Sequence, residues 1–367
     1  MSEINAREWE LLRAGSDQPF LSHRWLALLE QTGCVGAETG WQPCHLVLER
    51  EGRLIAAVPL YAKGHSYGEY VFDWAWADAY RRHGLDYYPK LLSAVPFTPV
   101  PGARLLGVDE SARRALAGEM IALAKRSGVS SLHVLFPSFT EARMLEGAGA
   151  MLRRGVQFHW RNDNWQSFEA FLSSLAQPKR KKIRAERRKV AEAGIHFKRL
   201  DGPDIREADW MFFSACYANT YAEHHSSPYL SQEFFLRLGQ QMPESVLMVV
   251  AYRGAQRVAS SLLMRDRERL YGRYWGACET VPCLHFETCY YQAIEAAIER
   301  GIAVIEGGAQ GEHKMARGFL PEETVSAHWL AEPAFADAVQ RFLAREGGSM
   351  DGYLDELSER TPFRTSA

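Results

Sequence analysis

Residues 304–319 concentrate the polar side chains in this sequence that are best suited to chemistry. An apolar run ends at Glu306, a glycine-rich turn follows, and five more polar residues come in close succession: Gln310, Glu312, His313, Lys314 and Arg317. Proton transfer needs a general base, and a negative charge that develops on a substrate needs hydrogen-bond donors. Glu306, Glu312 and His313 are the candidate bases and Lys314 the candidate catalytic donor, with Gln310 and Arg317 as candidate substrate-binding residues. A solvated turn would have a similar composition, and this alternative stays open.

Two further groups of polar and aromatic residues are candidates for substrate binding. One follows a predicted strand and opens the next helix: Arg273, Trp275, His285 and Glu287. The other lies within residues 63–76: His65, Tyr67, Glu69, Asp73 and Trp76. A core or capping histidine and a carboxylate at a helix N-terminus would equally explain His285 and Glu287. A hairpin-like turn with buried rings would equally explain the second group.

The most basic segment of the chain is a predicted helix over residues 178–193. The run that it carries includes five candidates for contacts with nucleic-acid phosphates: Lys179, Arg180, Lys182, Arg184 and Arg188. Such side chains could neutralise several backbone phosphates of a nucleic acid. The formal net charge of the chain is only -2, so no global positive field supports this interpretation. A solvated helix face is therefore an equal alternative.

Composition argues against several classes of protein. Hydrophobic residues make up 47% of the 367 residues, which is enough for a large core, and no apolar run is long enough to span a bilayer. The 6 cysteines show no C-x-x-C spacing, which predicts reduced thiols in a cytoplasmic protein without integral membrane contact. Neither residues 223–225 nor the cysteines around His285 have metal-ligand spacing. No metal and no tightly bound cofactor is therefore predicted.

Apolar patterns predict the elements that would position these residues. The second half predicts a basic helix, three strands at 246–252, 257–264 and 269–276, a helix that Gly301 closes, and a strand at 302–306. The first half predicts a hairpin over 45–61, an aromatic strand at 71–76, a short helix at 87–95, a helix at 111–127, a strand at 131–136 and a helix capped by Thr140. This order is typical of an α+β fold with mixed sheets.

The two halves of the sequence also echo each other. The hairpin over residues 45–61 matches residues 248–264, and Trp76 then falls opposite Trp275. We interpret the match as an internal repeat with a ligand cleft where its copies meet. The predicted domains are residues 1–155, residues 156–335 and a helical extension over 336–367.

These features resemble the Fem-type, FemAB-like branch of the GNAT acyl-CoA N-acyltransferase superfamily. The resemblance rests on the helical start at residues 173–175 before the basic helix, on the strand and helix order over 246–300, and on the strand end at Glu306 followed by Lys314. Over nearly its full length the chain is similar to bacterial GNAT-family proteins grouped under peptidoglycan biosynthesis or recognition. The resemblance implies a tandem duplication of a GNAT-like unit, with mixed sheets and helices on both faces. It also implies an acyltransferase that moves an acyl or aminoacyl group onto an amine.

The sequence departs from ordinary GNAT enzymes at the expected coenzyme site. Those enzymes hold the pyrophosphate of acetyl-CoA on a glycine-rich turn before the central helix. The corresponding residues 278–285 contain no glycine, and Pro282 lacks an N–H. The donor therefore stays open between aminoacyl-tRNA, which Fem-type enzymes use, and acyl-CoA or a carrier protein. The acceptor would be a small amine or a cell-wall peptide, and a non-catalytic module that binds such a precursor is the third alternative.

Overall fold

The computed structural model describes residues 1–13, 15–309 and 311–364. Packing divides the chain into two compact units, each built from two stretches of sequence. The first comprises Met1–Val156 and Glu323–Leu354, and the second comprises Gln157–Glu322 and Asp355–Ala367. The predicted domains, residues 1–155, 156–335 and 336–367, were defined as GNAT-like domains. The division into compact units does not test that definition, so these boundaries stay a prediction. None of the helices within the described ranges is long and apolar enough to cross a membrane.

Strands and helices alternate irregularly along the chain. The strands are β1 (Trp41–Pro43), β2 (Leu46–Arg50), β3 (Arg53–Val58), β4 (Tyr61–Lys63), β5 (Lys90–Ser93), β6 (Leu106–Gly107), β7 (Ser131–Leu135), β8 (Met151–Arg161), β9 (Ile195–Asp201), β10 (Val246–Arg253), β11 (Gln256–Arg265), β12 (Arg269–Ala277), β13 (Val304–Glu306) and β14 (Leu320–Leu330). The helices are α1 (Ala6–Leu12), α2 (His23–Gln31), α3 (Trp74–Arg82), α4 (Glu110–Ser127), α5 (Phe139–Gly147), α6 (Phe168–Ser174), α7 (Gln177–Glu192), α8 (Glu207–Glu223), α9 (Gln232–Gln241), α10 (Leu284–Phe286), α11 (Gln292–Arg300) and α12 (Pro333–Glu359). A π-helical turn, Glu287–Tyr291, joins α10 to α11, and a 3-10 segment, Glu312–Arg317, precedes β14.

In the first unit, β1, β4, β5, β7 and β14 neighbour one another in that order. The β5–β7 pair is parallel, whereas β1–β4, β4–β5 and β7–β14 are antiparallel. A second sheet pairs β2, β3 and β6, and α4 packs on it through buried residues such as Leu116 and Met120. Asp109 caps the start of α4, and Gly128 ends it in the left-handed conformation.

In the second unit, the order is β8, β13, β12, β11, β10 and β9. The β12–β13 pair is parallel, as predicted, because α10 and α11 form the crossover between these strands. Gly301 ends α11 with a positive φ, also as predicted. The predicted hairpin of β10 and β11 and its extension by β12 are confirmed. Together with the first unit, these mixed sheets confirm the α+β fold class.

Several predictions for the first half are wrong. Residues 74–82 form α3 rather than the end of an aromatic strand, because Trp76 and Tyr80 are buried one turn apart on the same helix face. Trp76 therefore does not correspond to Trp275, which lies in β12. Residues 90–93 form β5 rather than a helix, and Ser138, not Thr140, caps α5. Strand β14 was not predicted.

Candidate active site

Lys314 is the most unusual ionisable residue of the second unit. Its ammonium is buried, donates one hydrogen bond to Gly308 O at 3.2 Å, and has no carboxylate partner among the described residues. Burial lowers the pKa of Lys314 to about 8. A Cβ at Gly307 would lie 3.1 Å from Lys314 Cδ, so the glycine lets the lysine pack against the backbone of the turn. The arrangement leaves N–H donors of a buried cation available to an incoming oxygen.

Aromatic and imidazole rings surround the approach to Lys314. Tyr290, in the π-helical turn, has its hydroxyl 3.2 Å from His313 Nε2, and its ring contacts the rings of His285 and Phe319. Trp275 contacts His285 in turn, with ring centroids 5.2 Å apart. Partial desolvation lowers the pKa of His313, although the residue as a whole is exposed, and the positive charge of Lys314 adds to the effect. The imidazole is therefore neutral at physiological pH. A neutral imidazole beside a buried ammonium can accept a proton from an amine.

The loop before this cluster is shaped by glycine. Gly311 has φ 119, and a Cβ there would lie 2.4 Å from His313 Cε1, so both the turn and the imidazole position exclude a larger residue. Gln310, the predicted substrate-binding residue of this loop, lies outside the described residues. Glu312 is exposed and pairs with Arg360 at 3.1 Å. Its predicted catalytic role stays a prediction without a supporting contact to Lys314.

Glu306 belongs to a different set of contacts in the same unit. It lies in register with His159 of β8 and Tyr271 of β12. Its Oε1 accepts a hydrogen bond from Arg269 at 2.7 Å, while its buried Oε2 has no hydrogen-bond partner among the described residues. Burial raises the pKa of Glu306 to about 7, against the opposing effect of Arg269, and lowers the pKa of His159 to about 4. Glu306 is therefore a carboxyl that changes charge near neutral pH.

The elevated pKa of Glu306 has a consequence for stability. A folded-state pKa of about 7 against an unfolded value near 4.5 means that stability is highest below about pH 4.5 and falls as pH rises toward 7. Glu306→Gln should abolish this component, which amounts to at most about 3 kcal/mol at pH 8. Urea unfolding at pH 5 and pH 8 would measure it: the variant should gain stability relative to wild type on going from pH 5 to pH 8. An identical pH dependence in both proteins would contradict the assignment.

Other predicted binding residues of this unit hold its elements together. Arg317 is buried, donates to Glu186 of α7 at 2.8 and 2.9 Å and to His313 O at 2.8 Å, and lies over the ring of Phe286. Glu287 pairs with Arg187, also of α7. Arg273 is partly buried beside Tyr274. These contacts fix the 3-10 segment and the π-helical turn against α7, and a role in substrate binding stays a prediction for all three.

The predicted basic helix is α7. Ile183, Glu186 and Val190 form its buried face, and the basic side chains occupy the remaining surface. Arg184 is paired with Glu169, and Arg188 lies 3.7 Å from Glu192. Within the described part of the chain, Lys179 and Lys182 have no ion-pair partner, and the charge of Lys182 acts on His313. Arg180 donates to Leu175 O at 3.3 Å. Of the two unpaired lysines, Lys182 therefore lies near His313.

The first unit contains a separate buried cluster of charges. Lys63 and Lys90 face each other across β4 and β5, an arrangement that repels unless carboxylates intervene. Lys90 Nζ donates to Ser66 Oγ and Glu69 Oε2, both at 2.8 Å, and also to Asp73. Lys63 lies 3.8 Å from Glu69. We call these five residues the Lys90 cluster; it contains two of the predicted binding residues, Glu69 and Asp73.

Electrostatics within the Lys90 cluster differ between the two acids. Burial raises the pKa of Glu69 to about 7 and lowers the pKa of Lys63 to about 7, each against the opposing charge of its partner. For Asp73, burial is outweighed by the charge and the hydrogen bond of Lys90, which hold its pKa well below the usual range. Asp73 is therefore the permanent anion of the cluster, while Glu69 and Lys63 titrate near neutral pH.

A directed chain of hydrogen bonds leads away from Asp73. Tyr87 donates to Asp73 at 2.7 Å, and its oxygen lies 3.0 Å from His133 Nε2. His133 Nδ1 lies 2.8 Å from His328 Nδ1, and Ser326 Oγ lies 2.8 Å from His328 Nε2. Burial lowers the pKa of His133 to about 3 and that of His328 well below its usual value, so both rings are neutral. Because Asp73 only accepts, Tyr87 is the donor to it, and donors running from Ser326 through His328 and His133 to Tyr87 complete the chain; Ser131 Oγ also lies 2.9 Å from His133 Nε2.

The remaining predicted residues of the first unit lie above or beside this cluster. His65 Nδ1 is 3.3 Å from Lys63 Nζ, and Tyr67 is exposed with its ring against Trp74. Trp76 is buried and its ring packs on His133 and His328. The structure thus brings all five predicted residues of 63–76 into one neighbourhood.

Several residues of the two clusters were missed by the sequence predictions. In the first unit these are Lys63, Lys90, Tyr87, His133 and His328, and in the second they are Tyr290, His159 and Arg269. A usable signal existed for Lys90, His133 and His328. The signal is clearest for His133, which lies between Leu132 and Val134 in a strand predicted to be buried, because such a residue is buried with a partner or has a function.

The comparison with protein families settles which family this chain represents. The model of the FemAB-like family, described as peptidoglycan biosynthesis/recognition, matches residues 1–365. The chain belongs to the FemAB-like family. No curated protein sequence is significantly similar to this FemAB-like protein.

Solved structures agree with the family assignment at the level of the fold. FemX superposes with a TM-score of 0.56 and 11% identity, covering 92% of this FemAB-like protein and 99% of FemX. The C-terminal domain of a proposed lysylphosphatidylglycerol synthetase from Agrobacterium fabrum also gives a TM-score of 0.56, with 12% identity and coverage of 93% and 95%. L-PGS from Bacillus licheniformis gives 0.51, with 12% identity and coverage of 89% and 97%. At these identities the likeness shows the Fem-type fold alone.

Proposed function

We propose that this FemAB-like protein transfers an aminoacyl group from an aminoacyl-tRNA to an amine of a cell-wall-related peptide. The observation that carries the proposal is Lys314, a buried ammonium that lies beside a glycine-rich turn and has no counter-ion among the residues the structure describes. A carbonyl oxygen that becomes negative during acyl transfer would supply the missing anion. The family description, peptidoglycan biosynthesis/recognition, supports an acceptor of that class.

The proposed reaction uses the residues around Lys314 in distinct roles. Neutral His313, oriented by Tyr290, takes a proton from the acceptor amine as its nitrogen attacks the ester carbonyl. Lys314 Nζ donates to the developing oxyanion. The C–N bond forms, the ester C–O bond breaks, and the imidazolium returns its proton to the leaving ribose oxygen. Positioning and electrostatics supply the catalysis, and no covalent enzyme intermediate is required.

The turn before α10 favours aminoacyl-tRNA over coenzyme A as the donor. Pro282 provides no N–H, and Cys283 holds φ 67 where ordinary pyrophosphate-binding turns use glycine. The α10 segment that follows is only 3 residues long before the π-helical turn. A row of backbone donors for a pyrophosphate is therefore reduced at this position. The unpaired Lys179 and Lys182 offer phosphate contacts instead, which suits a tRNA acceptor stem.

A donor and acceptor screen tests the proposal. The full chain would be incubated with aminoacyl-tRNA, acetyl-CoA or a long-chain acyl-CoA, together with a muramyl peptide, and amide products would be detected by mass spectrometry. We expect an aminoacylated peptide with aminoacyl-tRNA only. Product with an acyl-CoA, and none with aminoacyl-tRNA, would show that acyl-CoA is the donor. If no donor gives a product and the muramyl peptide raises the melting temperature, the protein is a binding module rather than an enzyme.

The basic helix provides a second, independent test of the donor. Lys182→Gln should weaken binding of bulk tRNA and reduce the slope of log K against log salt by about 0.7 to 0.9, the value for one lost phosphate contact. Titrations at several salt concentrations would measure this slope. Lys125→Gln is the matched control, because Lys125 is exposed on α4 and also unpaired within the described ranges. Equal slopes for both variants and wild type would exclude α7 from tRNA binding.

A further inference from the structure

A cavity of about 330 Å³ lies within the first unit. Its lining contains neither residues of the Lys90 cluster nor the residues described around Lys314. Its apolar wall includes Leu12, Leu105, Leu106 and Met144. The polar part of its wall is formed by Arg13, Arg113 and the first turn of α5. The volume equals that of about ten water molecules at roughly 30 Å³ each, the size of a small organic ligand.

Arg113 is the cation of this cavity that has no internal partner. It is half-buried, and its guanidinium makes no hydrogen bond or ion pair to any residue that the structure describes. The acids beside it in sequence are engaged elsewhere. Asp109 accepts the N–H of Ala112 to cap α4, and Glu110 pairs with Arg114 at 2.5 Å. A half-buried guanidinium with unused donors is suited to a carboxylate or phosphate.

The other charges around the cavity compensate one another. Glu141 accepts the backbone N–H groups of Arg104, Leu105 and Ser138. Arg13 is paired with Glu10 and donates to Gln18 O at 2.5 Å. Glu141 is the acid in the described lining, and it makes no ion pair with Arg113, so the guanidinium keeps its donors for a ligand.

Two more features add to the positive character of the cavity. The Nε of Arg13 is buried, the side chain is only 8% exposed, and this N–H has no hydrogen-bond partner among residues 1–13, 15–309 and 311–364. Helix α5, with 9 residues, begins at the cavity, where Ser138 caps it and Thr140 and Glu141 lie in the lining. The start of a helix carries a partial positive charge, and here the side chains of Glu141 and Ser138 accept its first N–H groups.

We propose that this cavity binds a small amphipathic anion, a carboxylate or phosphate monoester that carries a short apolar group. Arg113 holds the anionic head, and the charge of Arg13 adds to the attraction. The aliphatic part, limited by the volume to about six to eight carbons, lies against Leu105, Leu106 and Met144. The site is independent of the transfer chemistry assigned to Lys314.

Calorimetric titration of the full chain with hexanoate, hexyl phosphate, inorganic phosphate and hexanol tests the site. We expect one of the two amphipathic anions to bind in the millimolar range or more tightly, with the tighter of the two identifying the head group. Inorganic phosphate and hexanol should each bind at least about tenfold more weakly, because phosphate lacks the apolar group and hexanol lacks the anionic group. Hexanol binding as tightly as hexanoate would overturn the proposal, as would the absence of binding by both anions up to about 10 mM.

Two neighbouring arginines provide the matched variants. Arg113→Gln should weaken binding of the anion by about tenfold or more, whereas Arg114→Gln should leave it unchanged, because Arg114 pairs with Glu110 outside the cavity. Arg113→Lys retains the charge and should bind more tightly than Arg113→Gln. Equal affinity of Arg113→Gln and wild type would overturn the proposal whatever the stability of the variants.

Discussion

Replacing Lys314 by methionine is expected to lower the rate of acyl transfer by about 100- to 1000-fold, the effect of removing one oxyanion donor. Methionine fills nearly the same volume as lysine and removes the buried, unpaired charge. The same substitution should therefore leave the melting temperature unchanged or raise it. Loss of rate with retained or increased stability is the signature of a group kept for chemistry rather than for folding.

Single-turnover transfer assays and calorimetric melting would measure the two effects separately. Lys125→Met serves as the control, since it removes an exposed lysine of the first unit and should alter neither quantity. His313→Gln, which keeps a side chain of similar polarity beside Tyr290, should lower the rate by about 100-fold through loss of the base. A Lys314→Met protein that retains at least half of the wild-type rate would show that the ammonium does not contact the reacting carbonyl.

The second unit could be predicted well from the sequence because local patterns determine it. Three consecutive apolar strands lie next to each other in the sheet, and Gly301 marks the end of the crossover helix. The predicted catalytic segment follows directly from the end of β13, so Lys314 could be named as a candidate without knowledge of distant contacts. The sequence did not reveal that Glu287 and Arg317 pair with residues of α7, which lie 100 and 131 residues earlier in the chain.

The first unit was harder because its cluster is assembled from distant strands. Lys90, His133 and His328 come from β5, β7 and β14, and the two histidines are 195 residues apart in sequence. The aromatic residues Trp74 and Trp76 suggested a strand, although the spacing of Trp76 and Tyr80 is that of a helix. Aromatic content reports burial more reliably than it reports the type of element.

Lys90→Met should destabilise the first unit by about 3 to 5 kcal/mol, the usual cost of removing one partner from a buried ionic group. The substitution leaves Glu69 and Asp73 buried without their common cation, and it frees Ser66, so the segment before α3 loses three attachments. Urea unfolding monitored by tryptophan fluorescence would give the change in free energy. A loss below about 1 kcal/mol would contradict the central role of Lys90.

The pH dependence of that loss distinguishes a charge effect from a packing effect. In the wild type, Lys90 depresses the pKa of Asp73, so this acid contributes stability above its unfolded pKa and loses it as pH falls through the folded value. Without Lys90, burial raises the pKa of both acids, and each then costs stability as pH rises past about 4. The destabilisation should therefore be larger at pH 8 than at pH 4. Adding Glu69→Gln and Asp73→Asn to Lys90→Met should restore much of the stability at pH 8, because both unpaired carboxylates are removed and burial, which lowers the pKa of Lys63 to about 7, keeps that lysine neutral at this pH. Equal destabilisation at both pH values, or a triple variant no more stable than Lys90→Met, would instead attribute the loss to packing.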